Sequence, residues 1–82
     1  MVKPPTRVTN DIRSLRFRHG EMTQAELAKL LGVTRQTVIA IEQGRYSPSL
    51  EMAFRIARVF GVPLDDVFQY PDAASDQQGA AS

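Results

Sequence analysis

Arg35 and Gln36 set side by side two side chains suited to two-point hydrogen bonding. A guanidinium presents a planar fork of donors, and a primary amide presents a donor beside an acceptor. Each matches a nucleobase edge: arginine fits guanine O6/N7 and glutamine fits adenine N6/N7. Ile39 and Ala40 lie in the same stretch and offer apolar contact for a thymine methyl. Around this group stand polar side chains that suit a phosphate: Thr23, Gln24, Thr34, Thr37, Gln43, Arg45 and Tyr46. The chemistry on offer is directional, non-covalent recognition.

Covalent and metal chemistry find little support. The chain has no cysteine, which removes disulfides, thiolate metal sites and cysteine nucleophiles together. His19 is the single histidine, without a carboxylate or cysteine pattern beside it, and reads as a cation at a helix end. There is no glycine-rich phosphate loop and no metal-ligand spacing, so no enzyme, cofactor or metal is expected. A polypeptide of 82 residues is sized for one domain. No apolar run approaches the ~18 residues of a membrane span, and no signal-peptide pattern opens the chain. These features predict a cytoplasmic protein.

The net charge of +1 hides an uneven distribution. All ten Lys/Arg lie at or before Phe60 with only five Asp/Glu, whereas four Asp and no base follow Gly61. A basic body ahead of an acidic end keeps cations available on one surface. Simple drift of charge along a short chain gives the same pattern, so composition alone leaves both readings open.

Stepwise punctuation locates the elements that must position these residues. Residues 1–6 hold two adjacent prolines and no apolar period, and read as a flexible arm. Arg7-Val8-Thr9 suits a short edge strand, and Asn10 suits the cap of a first helix reaching His19, with Ile12 and Leu15 on its inner face. Thr23 and Glu26 form a capping box for a second helix with Leu27, Leu30 and Leu31 as its stripe, stopped by Gly32. Thr34 opens a third helix running to Gln43, before Gly44. Ser49 caps a fourth, Leu50 to Phe60, with Leu50, Ala53, Phe54, Ile56, Ala57 and Phe60 inward and Glu51, Arg55 and Arg58 toward water. Pro63 to Phe68 forms a last short helix, and Gln69-Tyr70 a short strand. Residues 71–82 are small and polar and read as a disordered tail, leaving 7–70 as the folded domain.

Two short helices joined by a glycine-containing turn make a helix-turn-helix. Such a unit needs a small residue where the helices approach, a residue tolerant of positive φ at the turn, and an apolar inner face. Ala28, Gly32, and Leu27, Leu31, Val33, Val38 and Ile41 meet those needs within Gln24 to Gln43.

The stretch TQAELAKLLGVTRQTVIAIEQGRYSPSLEMAFRIARVFGVPLDDVF resembles the Cro/CI-type (XRE family) helix-turn-helix transcriptional regulators. Its sub-motifs are TQAELA, LGVTRQT, IEQG and YSPSL, and the likeness is strongest to compact single-domain members of the cytolysin-operon repressor type. The resemblance implies an all-α, five-helix bundle in which a short N-terminal strand pairs with one at the C-terminal end. It implies a homodimer on double-stranded operator DNA, with base contacts at the positions of Arg35 and Gln36. It also implies an ion pair between Arg16 and Glu42. Three departures stand out: a longer loop at His19-Gly20-Glu21-Met22, Pro63 in place of a hydroxyl cap, and the extra tail.

Helical projection puts Val38 and Ile41 inward and spreads Arg35, Gln36, Ile39, Ala40 and Gln43 over the opposite face. The helix start enters the major groove in this motif, so Arg35, Gln36, Ile39 and Ala40 are the expected base contacts. Arg35 equally fits a phosphate, Gln36 a solvated surface, and Ile39 a packing position. Thr23, Gln24, Thr34, Thr37, Gln43, Arg45 and Tyr46 are the expected phosphate contacts. Capping alone accounts for Thr23 and Thr34, and packing on the fourth helix accounts for Tyr46. Leu64, Val67, Phe68 and Tyr70 form the expected isologous dimer contact, or else merely close the core. With one domain, no small-molecule effector is expected. The function read from the sequence is a DNA-binding regulator of the nucleoid, acting as a repressor on a palindromic operator. An antitoxin built on the same fold is the rival reading.

Overall fold

The computed structural model describes residues 6–71. The expected arm and tail lie outside the described residues except for Thr6 and Pro71. The elements run β1 (Thr9–Asn10), α1 (Ile12–Arg18), α2 (Gln24–Leu31), α3 (Arg35–Glu42), α4 (Leu50–Phe60), α5 (Leu64–Val67) and β2 (Phe68–Gln69).

Hydroxyl caps begin the three longest helices. Thr23 Oγ1 accepts from Glu26 N at 3.0 Å while Glu26 Oε1 accepts from Thr23 N at 2.8 Å, closing a full capping box. Thr34 and Ser49 accept from Thr37 N and Met52 N in the same way. Gly32 and Gly61 end α2 and α4 in left-handed conformations that a side chain would strain. Pro63 supplies no side-chain bond at the start of α5; its carbonyl accepts from Asp66 N instead.

The longer loop before α2 is accommodated by two successive left-handed residues, Gly20 and Glu21. Glu21 is the only non-glycine with positive φ among the described residues. The turn is pinned by Met22 N donating to Arg16 O, and by Arg16 Nη1 donating back to Met22 O at 2.8 Å.

Ile12, Leu15, Leu27, Leu31, Val38, Ile41, Ile56, Phe60 and Val67 form one continuous core with Ala28 and Ala57. Every element except the strands contributes to it, which is how so small a domain orders five helices. His19 sits at the exposed end of α1 with its ring edge-on to Phe60, 5.3 Å between centroids.

Three sequence expectations need correction here. The N-terminal strand is Thr9–Asn10 and not Arg7–Thr9; it pairs antiparallel with Phe68–Gln69, inside the Phe68–Tyr70 segment that the family resemblance implies. Asn10 is therefore extended and does not occupy the cap position; Asp11 does, without a side-chain bond. Asn10 Oδ1 still accepts from Ile12 N at 3.1 Å. Leu30 is 57% exposed, and Leu50 and Phe54 are 67% and 53% exposed. Each of these three lies roughly 60–120° around its helix from the centre of the buried stripe. An apolar stripe broader than the surface that covers it leaves its edge in water.

Candidate functional site

The hydrophobic seam between α2 and α3 fixes where the candidate site points. Leu27, Ala28 and Leu31 of α2 face Val38 and Ile41 of α3, all buried, and Val33 fills the turn. With that side of α3 closed, Arg35 and Gln36 are exposed at its start, and Ile39 and Ala40 are half-buried farther along. Gln43, Arg45 and Tyr46 are exposed just beyond its end. Arg45 Nε donates to Gln43 Oε1 at 2.9 Å, so these two side chains already hold one another. Tyr46 is 42% exposed.

The hydroxyls at the start of α3 are partly engaged. Thr34 and Thr37 share a 3.0 Å hydrogen bond between their oxygens, in addition to the cap at Thr34. Thr23 is committed to its capping box.

A buried polar network lies behind the exposed face. Arg16 meets Glu42 through two hydrogen bonds, Nε to Oε2 at 2.7 Å and Nη2 to Oε1 at 3.2 Å. Their side chains retain only 8% and 10% exposure. The bidentate geometry and the third donor on Met22 O satisfy the guanidinium well, as burial of a charge requires. Gln24 Nε2 donates to the same carboxylate at 3.1 Å. Gln24 Oε1 in turn accepts a long 3.5 Å contact from Arg35 Nη2. The amide expected to meet a phosphate thus links the buried pair to the exposed arginine.

Two supporting residues escaped the sequence. Asn10 Nδ2 donates to Ile41 O at 3.0 Å and to Glu42 O at 3.4 Å, adding a side-chain donor to the carbonyls at the end of α3. Arg55, assigned to water, donates to Leu31 O at 2.9 Å and does the same for α2. Both join residues more than twenty positions apart, so no local pattern could reveal them.

The proposed dimer residues divide. Val67 is fully buried and closes the monomer core, which removes it from any contact between copies. Leu64 and Phe68 are half-buried, and Tyr70 is 66% exposed. Leu64 also lines an open apolar groove between α4 and α5 with Leu50, Phe54, Ala57, Val62 and Pro63, rimmed by Glu51, Arg55 and Arg58. Among the described residues no cluster of His, Asp or Glu is placed to hold a metal ion, and no helix is long and apolar enough to cross a membrane.

Comparisons with known proteins agree with this geometry. A family model described as helix-turn-helix matches residues 12–67, from the start of α1 to the end of α5. An uncharacterized HTH-type transcriptional regulator of Methanocaldococcus jannaschii is 54% identical over 63 residues, covering 77% of this chain and 94% of that one. An uncharacterized HTH-type transcriptional regulator of Bacillus subtilis is 48% identical, covering 72% and 88%. The cryptic phage CTXphi transcriptional repressor RstR of Vibrio cholerae is 31% identical over 70 residues, covering 85% of this chain and 62% of that protein. A crystal structure from Bacteroides fragilis superposes with a TM-score of 0.66 at 21% identity, over 76% of this chain and 98% of that one, a likeness of fold. The chain belongs to the helix-turn-helix family of transcriptional regulators, of the Cro/CI (XRE) type.

Proposed function

We propose that this protein is a sequence-specific repressor that binds a palindromic operator as a homodimer, one α3 in each of two successive major grooves. The observation that carries the reading is the pair Arg35 and Gln36, exposed at the start of a helix whose opposite side is locked in the core. A guanidinium and an amide held there meet base edges at the depth that a major groove allows. Ile39 and Ala40 follow them along the groove. Gln24, Thr37, Gln43, Arg45 and Tyr46 lie at the rim, where they meet phosphates. Thr23 and Thr34 contribute there chiefly by fixing the helix starts. Similarity to RstR, a transcriptional repressor by name, favours repression over activation.

The second copy docks on the α4–α5 groove. Leu50, Phe54 and Leu64 supply its apolar floor, and the rim carries both signs of charge, Glu51 against Arg55 and Arg58. A two-fold contact sets such a rim against a second copy of itself, so Glu51 of one protomer is available to Arg55 or Arg58 of the other. Phe68 and Tyr70 lie toward the β2 end of this contact. The protein works without a cofactor, metal or catalytic step, in the cytoplasm where the DNA lies.

Selection of bound duplexes from a random library tests the reading. Enriched sites are expected to be two-fold symmetric, with half-site centres about 10 base pairs apart. A pool that stays random after repeated rounds would overturn it.

A further inference from the structure

The half-exposed aromatic on α1 has no role in the reading above. Phe17 is 53% exposed, although its helix has a buried face available at Ile12 and Leu15. The Arg13 guanidinium carbon lies 5.5 Å from the centre of the Phe17 ring, and that of Arg16 lies 5.7 Å from it. The two arginines differ in every other respect. Arg16 is buried and its donors are committed to Glu42 and Met22 O. Arg13 is exposed, and among the described residues it has no hydrogen bond and no ion pair. Its charge is held in place by a ring and otherwise free.

Position gives that charge a purpose. Arg13 and Phe17 line a concave surface together with Gln24, Arg35 and Gln43, and with the carboxylates Glu21 and Glu42. The surface is continuous with the start of α3. Because Arg35 belongs both to this surface and to the start of α3, a duplex seated on α3 would have its sugar-phosphate backbone within reach of the concavity. An ammonium on a flexible stem would wander there, whereas a planar guanidinium over a ring face is pre-aimed.

We propose that Arg13 is a phosphate contact supplied by α1, and that Phe17 is the positioning residue that aims it at the backbone flanking each half-site. The contact extends the footprint beyond the helix-turn-helix unit and adds affinity without sequence preference. The inference rests on the DNA-binding reading above.

The test uses the full chain with two duplexes, one recovered by selection and one scrambled, titrated by fluorescence anisotropy across a salt series. Arg13→Ala is expected to weaken both duplexes alike, by roughly tenfold, and to lower the slope of log affinity against log salt by about one unit per half-site. Arg13→Lys restores the slope but not all of the affinity. Phe17→Ala keeps the charge, so it loses about two- to fivefold with little change in slope. It adds nothing further when Arg13 is already alanine. Both side chains are exposed, and an unchanged thermal transition checks that the variants fold. A wild-type slope in Arg13→Ala, or additive losses in the double variant, overturns the proposal while leaving base recognition intact. Failure of the wild-type chain to bind either duplex overturns the DNA-binding reading itself.

Discussion

Two exposed surfaces of this domain are built on opposite principles. The exposed start of α3 is polar, and its Arg35 is backed by a network running from the buried Arg16 through Glu42 and Gln24. The α4–α5 groove is apolar, and nothing among the described residues covers Leu50 or Phe54. A polar surface meant to read another molecule gains from being pre-aimed, because each rotamer already fixed is entropy not lost on binding. An apolar surface needs no aiming, since burial of area is non-directional. The contrast is the one that the proposed recognition face and the proposed assembly face each require.

Breaking the support of the recognition face has the largest expected effect. Glu42→Ala strands the Arg16 charge in a buried setting and should destabilise the domain by about 3–5 kcal/mol in urea denaturation. Replacing both partners, Arg16→Met with Glu42→Leu, should recover much of that loss in the same measurement. A double variant no more stable than Glu42→Ala would show that the pair contributes more than mutual neutralisation. The groove comes next. Phe54→Asp should leave the monomer fold intact and raise the dimer dissociation constant by the roughly 1.5–3 kcal/mol that a buried aromatic contributes. Sedimentation equilibrium across a concentration range measures it, and unaltered dimerisation would remove the groove as the assembly face.

Smaller effects sharpen the distinction within the recognition face. Gln36→Ala should cost about 1–3 kcal/mol on the selected duplex and relax preference at one base pair, with little change on scrambled DNA. Equal losses on both duplexes would mean that Gln36 reads no base. Arg45→Ala should weaken all duplexes alike and lower the salt slope by about one unit. A base-specific loss there would move Arg45 from the rim into the groove.

Much of the helix-turn-helix was legible because its determinants are local. Thr23 with Glu26, Thr34 with Thr37, and Ser49 with Met52 are each three residues apart, the spacing at which a hydroxyl meets an orphan amide. The Arg16–Glu42 pair was implied only by family resemblance, since 26 positions separate the two residues. Leu30, Leu50 and Phe54 were misassigned inward for a related reason. Periodicity gives the direction of an apolar stripe but not the width of what packs on it. Val67 erred the other way, offered to a partner while its own core claimed it.

The sequence by itself determined where α2, α3 and α4 begin, the glycines that stop α2 and α4, which side of α3 is apolar, and which side chains stand at its exposed start. Those features follow from backbone amides and a 3.6-residue repeat acting over one turn. Only the tertiary structure decided that Asn10 and Arg55 close the ends of α3 and α2, that Arg13 rests on Phe17 beside a concavity that Arg35 also lines, and that α4 and α5 leave a groove between them. Each of these depends on how elements distant in the chain are brought together, and that is set by the joint packing of one shared core.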